Sequence, residues 1–151
     1  MSNFKEIVNR KAKYEYHVMQ EYEAGLSLVG TEVKSLKAGN ANLSDAFCLF
    51  HKGELYLKSA FIAEYNYGNI NNHETRRDRK LLLRKSELKK IEKRVTEKGY
   101  TIVPYKFLFS ERGFAKVVIW VAQGKKAYDK RQSIKEKDIK REMDRDMKKF
   151  T

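Results

Sequence analysis

Apolar and polar residues alternate with a period of two through much of the first 123 residues, as they do in half-buried β-strands. In the earliest such segment Tyr14, Tyr16 and Val18 fall on one face, while Glu15 and His17 fall on the other. Because successive side chains of a strand point to opposite faces, this pattern predicts a first strand that begins at Tyr14.

Two pairs of later segments have the pattern of β-hairpins. Residues 47–50 and 54–62 flank a Lys52-Gly53 pair, and glycine readily adopts the left-handed backbone of a tight turn. Residues 100–109 and 114–122 are dense in Val, Ile, Phe, Tyr and Trp, and the four residues SERG join them. We predict an antiparallel hairpin from each pair.

Two stretches follow instead the 3.6-residue period of a helix. We predict a helix of about two turns that Thr31 caps and Gly39 ends. A second helix is predicted between a cap at Ser86 and an end at Gly99, with apolar residues recurring at i, i+3 and i+7. Residues 64–75 hold four Asn and one Gly without periodicity, which predicts a surface loop.

These elements define a fold class. Five or more strands with few helices between them, and without a regular alternation of strand and helix, favour an antiparallel sheet over a doubly wound fold. We therefore predict a mainly β protein, an OB-like antiparallel β-barrel with a few short helices. Its 123 residues are enough for one hydrophobic core and too few for two.

Residues 124–151 have a different composition. Between Lys125 and Lys149 there are eleven Lys or Arg and six Asp or Glu, and the apolar positions form only a thin stripe. A segment this charged cannot bury enough surface to offset the entropy of its own ordering. We predict a basic tail that is disordered when free and that folds against a partner. The stripe that would face the partner consists of Ile139, Met143, Met147 and Phe150.

The net charge indicates what the partner is. The chain has 33 Lys and Arg against 20 Asp and Glu, a formal charge of +13, which favours a polyanion such as nucleic acid. It has no broad amphipathic face, membrane-length apolar run or signal-peptide region, so we expect a cytoplasmic protein without membrane association. We also expect a monomer.

The densest cationic cluster lies between Arg76 and Arg94, with ten Lys or Arg and three acids. A solvated helix face with internal ion pairs would explain many such runs, but these acids are too few to pair the cations. Unpaired guanidinium groups bind phosphate well, so the cluster predicts RNA contact. Most aromatic residues fall in apolar strands, whereas Tyr65 and Tyr67 in the polar loop are better candidates for stacking on bases.

No residue pattern indicates catalysis. The three histidines lack metal-ligand spacing, the single Cys48 lies in a predicted strand, and no phosphate-binding glycine loop or nucleophile motif occurs. We predict no enzyme activity, no cofactor and no metal. Two alternatives remain open on the residues alone: a general module for single-stranded RNA, and an RNA-processing enzyme whose site has no familiar motif.

Four runs in order along the chain resemble the SmpB family: NRKAKYEY, EAGLSLVGTEVKSLKAGNANLSD, NHETRRDRKLLL and GKKAYDKR. The resemblance implies an OB-type barrel that binds the tRNA-like part of transfer-messenger RNA (tmRNA) and delivers it to stalled ribosomes. It also implies that the tail enters the decoding region and follows the empty mRNA path as a helix.

The RNA-facing and ribosome-facing roles that the resemblance implies fall on residues at the corresponding positions of this chain. The RNA-facing candidates are Glu23 of the EAG run and five residues of the RRDRKLLLR run: Arg77, Arg79, Lys80, Leu82 and Arg84. Tyr128 stands where family members often have His, so it cannot supply an imidazole, although its ring can still stack. The ribosome-facing candidates combine the tail motif with two residues of the apolar stripe: Gly124, Lys125, Lys126, Tyr128, Asp129, Lys130, Arg131, Ile139 and Met143.

Overall fold

A computed structural model describes residues 6–65 and 72–125. The described residues form nine strands and three helices, and the predicted mainly β class is confirmed. In chain order they are β1 Ile7–Val8, α1 Lys11–Glu15, β2 Tyr16–Leu26, α2 Gly30–Lys37, β3 Ala41–Asn42, β4 Phe47–His51, β5 Glu54–Lys58, β6 Phe61–Ile62, β7 Arg79–Leu82, α3 Lys85–Lys98, β8 Thr101–Phe109 and β9 Ala115–Gly124.

Seven strands form one antiparallel sheet in the order β1-β8-β9-β2-β7-β5-β4, and β3 pairs with β6 separately. β2 is the long central strand: it pairs with β9 along most of its length and with β7 only at Gly25 and Leu26. The sheet curls, because β4 at one end contacts β8 near the other. The end strands, β1 and β4, are not paired with each other in the described residues. The predicted barrel is therefore not closed by hydrogen bonds.

Two hydrophobic clusters lie on opposite faces of the sheet. The larger one fills the curl with residues such as Leu57, Leu81 and Ile119, and α3 adds Leu88 and Ile91. The smaller one lies where α1 covers the outer face, and its members include Trp120, whose ring stacks on Tyr105 at a centroid distance of 4.0 Å. The larger cluster fixes the positions of β2, β7 and α3, the elements that carry the surface described below.

Both predicted hairpins are confirmed, as β4–β5 and β8–β9. The first turns through Lys52 and Gly53, whose φ angles of 52° and 79° are left-handed. Gly99 also ends α3 as predicted, with φ 69°.

The predicted helix caps were wrong. The observed caps are Val29 for α2 and Arg84 for α3, each two residues before the predicted cap, Thr31 or Ser86. In each helix a glutamate in the first turn accepts a hydrogen bond from the backbone N–H of the residue before the helix. Because that acid satisfies the free N–H, these helices begin without a side-chain hydroxyl at the cap.

Two further differences concern strands. Tyr14 belongs to α1, so the first long strand begins at Tyr16, and a bulge between Val18 and Gln20 resets its alternation. β7 is absent from the predicted strands: it is a strand of four residues with two cations, inside the cationic cluster. Its hydrogen bonds to β2 and β5 create it, and a segment this short has no periodicity of its own.

Candidate nucleic-acid interface

An open groove lies where β2, β7 and the first turn of α3 meet. It has a volume of about 740 Å³, and Glu54 and Lys116 form part of its walls. Four of the six predicted RNA-facing residues line it: Glu23, Lys80, Leu82 and Arg84. Residues that lie up to 61 positions apart in the chain therefore share one surface.

The alternation of β7 sets which side chains reach the groove. Lys80 and Leu82 point outward, whereas Arg79 and Leu81 are buried. Leu82 is 52% exposed and is paired in register with Gly25. A Cβ atom at position 25 would lie 3.2 Å from the Leu82 Cβ, so glycine leaves room for this exposed leucine.

Two ion pairs span the groove walls, and both are weak. Glu23 Oε1 lies 3.2 Å from Lys116 Nζ, and Glu54 Oε2 lies 3.7 Å from Lys80 Nζ. All four side chains are at least one-third exposed, and exposed pairs of this kind contribute about 0–1 kcal/mol. The lysines can therefore exchange a carboxylate for a phosphate, which leaves the carboxylates free to accept hydrogen bonds from ribose or base donors.

Arg79 does not belong to this groove. Its side chain is fully buried, where Nε donates to Glu32 Oε2 and the two remaining nitrogens donate to the carbonyl oxygens of Ala60 (2.8 Å) and Thr75 (3.2 Å). We expected Arg79 to face RNA, but β7 turns this position inward and buries it. Its guanidinium has no surface left for a phosphate.

Arg77 shares the same carboxylate. Its Nη2 lies 2.5 Å from Glu32 Oε1 and 3.3 Å from the carbonyl oxygen of Ser27, and its side chain is 36% exposed. We call Glu32, Arg77 and Arg79 the Glu32 cluster. It joins α2 to β7 and to the segment before it, and so fixes the strand that presents Lys80 and Leu82.

The electrostatics of the Glu32 cluster keep it ionised. Burial alone would raise the pKa of Glu32. Hydrogen bonds from Arg77, the Val29 N–H and Arg79 lower it by more, so the pKa of Glu32 lies below its usual value. Burial also lowers the pKa of Arg79, and the adjacent Glu32 carboxylate partly offsets this effect. Two guanidinium groups on one buried carboxylate form a structural ion cluster.

The sequence interpretation missed two structural residues. Glu32 had a usable signal, an acid early in a short helix. His73, buried at the end of the Asn-rich loop, had none: its Nε2 donates to the Ile62 carbonyl oxygen at 2.9 Å, and its Nδ1 lies 2.8 Å from the Thr31 hydroxyl. A carbonyl can only accept, so a neutral His73 has its proton on Nε2 and accepts from Thr31.

The base of the Asn-rich loop is closed by Asn72, whose side chain bonds both the N–H (3.2 Å) and the carbonyl oxygen (3.0 Å) of Tyr65. Lys34 Nζ lies 5.4 Å from the centre of the Tyr65 ring, so a cation covers this predicted stacking residue. Tyr67, the other candidate, lies outside the described residues.

A second, strongly cationic groove of about 580 Å³ follows the last turns of α3. It is lined by Lys90, Lys93, Arg94 and Lys98, with Glu97 as the one acid. Within residues 6–65 and 72–125, none of these cations has a carboxylate oxygen within 4.0 Å. Like charges four residues apart destabilise a helix slightly, so a bound polyanion would relieve a repulsion here.

The ribosome-facing candidates are only partly within the described ranges. Gly124 is the last residue of β9 and pairs with Tyr16, and Lys125 follows it. The other seven lie outside: Lys126, Tyr128, Asp129, Lys130, Arg131, Ile139 and Met143.

The described residues hold no group of three or more His, Cys, Asp or Glu placed to bind a metal ion. Cys48 is buried, which raises the pKa of its thiol and makes it unreactive. None of the helices in the described ranges has the length and apolar character of a membrane span.

The chain is similar to known proteins over nearly its whole length. The family described as SmpB protein matches residues 6–149. The SsrA-binding protein of Parabacteroides distasonis is 53% identical over 148 residues, which cover 98% of this chain and 97% of that protein. The SsrA-binding protein of Bacteroides thetaiotaomicron is 53% identical over 139 residues, 92% of this chain and 93% of that one.

A solved structure described as "tmRNA-SmpB: a journey to the center of the bacterial ribosome" contains a similar chain. It is 47% identical, and the alignment covers 79% of this chain and 83% of that chain with a TM-score of 0.67. The family match in sequence, over residues 6–149, includes all the elements that form the groove. The chain belongs to the SmpB protein family.

Proposed function

We propose that this chain binds the tRNA-like part of tmRNA and delivers it to stalled ribosomes in trans-translation. One observation carries the RNA-binding part: Glu23, Lys80 and Leu82, matched to the family by their motifs, meet in a single groove with Arg84. The names of the relatives, SsrA-binding proteins, and of the solved tmRNA-SmpB structure support the same ligand.

In this proposal the groove binds RNA through ionic, hydrogen-bonding and apolar contacts. Lys80, Arg84 and Lys116 bind phosphates, because their present contacts are weak or exposed. Glu23 accepts a hydrogen bond from a ribose or base, and exposed Leu82 makes an apolar contact. The cations of α3 continue the phosphate-binding surface over a further 15 to 20 Å, since a helix rises about 1.5 Å per residue.

Arg77 and Arg79 act indirectly. Their guanidinium groups hold β7 against α2 through Glu32, and this keeps Lys80 and Leu82 in the groove. In this proposal Arg79 is a positioning residue, and the half-buried Arg77 contacts RNA only through the part of its guanidinium that stays exposed.

The tail provides the second half of the function. The structure places Gly124 in β9, so the predicted tail begins later than residue 124. Residues 126–151 are proposed to be disordered in the free protein and to fold as a helix in the decoding region, along the empty mRNA path. Its motif residues and its apolar positions Ile139 and Met143 would then contact the ribosome. We further propose that the protein acts as a cytoplasmic monomer without a cofactor, and that it has no catalytic activity of its own.

Two assays test these halves separately. The full-length protein should bind a transcript of the tRNA-like domain far more tightly than a single-stranded RNA of equal length. Equal binding of both RNAs would favour the alternative, a general single-strand module. A chain that ends after Lys125 keeps all of β9, so it should bind the transcript normally and yet fail to support peptide tagging in a reconstituted translation assay. Full tagging by that chain would contradict the role of the tail.

A further inference from the structure

The outer face of the β4–β5 hairpin is apolar where a solvated sheet face would normally be polar. Phe47 and Leu49 on β4 point outward and are 42% and 49% exposed. Tyr56 on β5 is paired in register with Leu49 and is half-buried on the same face. The inward positions between them belong to the core, whereas Phe47 and Leu49 are in neither hydrophobic cluster of the described residues.

This face is continuous with the groove. Tyr56 pairs with Leu49 on one side and with Lys80 on the other, so the three side chains form one outward row across β4, β5 and β7. Lys80 is also a wall of the groove. A ligand that contacts Lys80 from the groove can therefore reach Tyr56 on the adjacent strand, whose backbone lies about 5 Å away.

Polar groups surround the apolar centre. The His51 ring meets the Tyr56 ring edge to face, with centroids 6.1 Å apart. Lys58 Nζ lies 3.4 Å from Asp78 Oδ2 in an exposed pair. His51, Tyr56, Lys58 and Asp78 line a shallow depression of about 300 Å³. An apolar and aromatic surface with hydrogen-bonding groups and a lysine at its rim suits a nucleobase, which has two apolar faces and polar edges.

The size of the face also favours a base over a protein. Five residues of strand span about 17 Å, and two strands are about 10 Å wide, so the face covers on the order of 170 Å². A stable protein interface buries about 800 Å² on each partner. One or two stacked bases fit the smaller area.

We propose that the outer face of β4–β5 binds an unpaired nucleobase of the RNA held in the groove, stacked on Tyr56 and Leu49. This inference rests on the proposed tRNA-like ligand and extends its binding site by one strand pair. The lysines and Arg84 of the groove bind the RNA backbone, and the hairpin face contacts an exposed base next to it. The contact is sequence-tolerant, because every base has an apolar face.

The test is a titration of full-length protein with the tRNA-like transcript at several salt concentrations. Tyr56→Ala and Leu49→Ala should each weaken binding, by roughly 5- to 150-fold for the loss of a good aromatic stack and toward the lower end for leucine. The slope of log affinity against log salt should stay at the wild-type value, because no phosphate contact is lost. Tyr56→Phe is the matched control and should bind like the wild type.

Chemical probing of the transcript locates the contact. A base that the wild-type protein protects should become reactive in the complex with Tyr56→Ala, while backbone protection at the groove persists. Unchanged affinity of both alanine variants would overturn the proposal, as would an equal loss in Tyr56→Phe, which would indicate a hydroxyl hydrogen bond. Normal RNA affinity with reduced ribosome binding would assign the face to another partner and also overturn it. Failure of the wild type to bind the transcript would instead refute the proposed function itself.

Discussion

The groove and the Glu32 cluster share one short strand and use its cations in opposite ways. On β7, Lys80 points outward to a carboxylate 3.7 Å away, whereas Arg79 points inward to a buried one. Both residues come from the same charged run of the sequence. The comparison shows that the number of cations in a run does not give the number of exposed cations. The alternation of four residues turns one cation to the surface and buries the next in the fold.

The largest expected effect is the loss of stability when the Glu32 cluster is broken. Arg79→Ala leaves the Glu32 carboxylate buried with only Arg77 and a backbone N–H, so the free energy of unfolding should fall by about 3–5 kcal/mol. Chemical denaturation followed by circular dichroism measures it. Lys80→Ala, one residue away and exposed, is the control and should change stability by less than about 0.5 kcal/mol. Equal stability of both variants would contradict the structural role of Arg79.

Acid should weaken the same cluster. The pKa of Glu32 is lower in the folded protein than in the unfolded chain, so its contribution to stability is present above its unfolded pKa and is lost as pH falls through its folded pKa. Unfolding free energies of the wild type and Glu32→Gln, measured from about pH 6 to about pH 3, should converge in acid. A constant difference between the two proteins over that range would contradict this account.

Substitutions of exposed cations on and next to β7 should weaken RNA binding without lowering stability. Lys80→Gln combined with Arg84→Gln should weaken binding of the tRNA-like transcript by about 1–3 kcal/mol for each phosphate contact and lower the salt slope by about two. The melting temperature should stay within a few degrees of the wild type. A lowered melting temperature with an unchanged salt slope would show that these cations stabilise the fold instead.

Much of this fold was readable from the sequence, and the reasons for the failures are physical. The hairpins β4–β5 and β8–β9 are long or have a turn glycine, so local pattern determines them. Arg79 was misplaced because its environment is set by Glu32, 47 residues away, and by pairing with β2 and β5. The motif resemblance identified three of the groove residues, Glu23, Lys80 and Leu82, although no periodicity in the chain could have brought Glu23 beside Arg84.

The smallest predicted effect concerns Glu23. Its pair with Lys116 is exposed, so Glu23→Gln should leave stability unchanged. An amide oxygen still accepts a hydrogen bond, although more weakly than a carboxylate, so affinity for the transcript should fall by only about 0.5–1.5 kcal/mol. Glu23→Ala removes the acceptor and should cost more. Wild-type affinity in both variants would remove Glu23 from the binding site.

The central claim is that the groove beside β7 holds a folded tRNA-like RNA, and a photocrosslink from Leu82 tests it most directly. Leu82 is exposed within the groove and away from the Glu32 cluster, so a photoreactive p-benzoylphenylalanine can replace it without disturbing the core. We predict an efficient crosslink to the tRNA-like transcript that excess transcript suppresses and that excess single-stranded RNA of equal length does not. No crosslink, or equal suppression by both RNAs, would contradict the account.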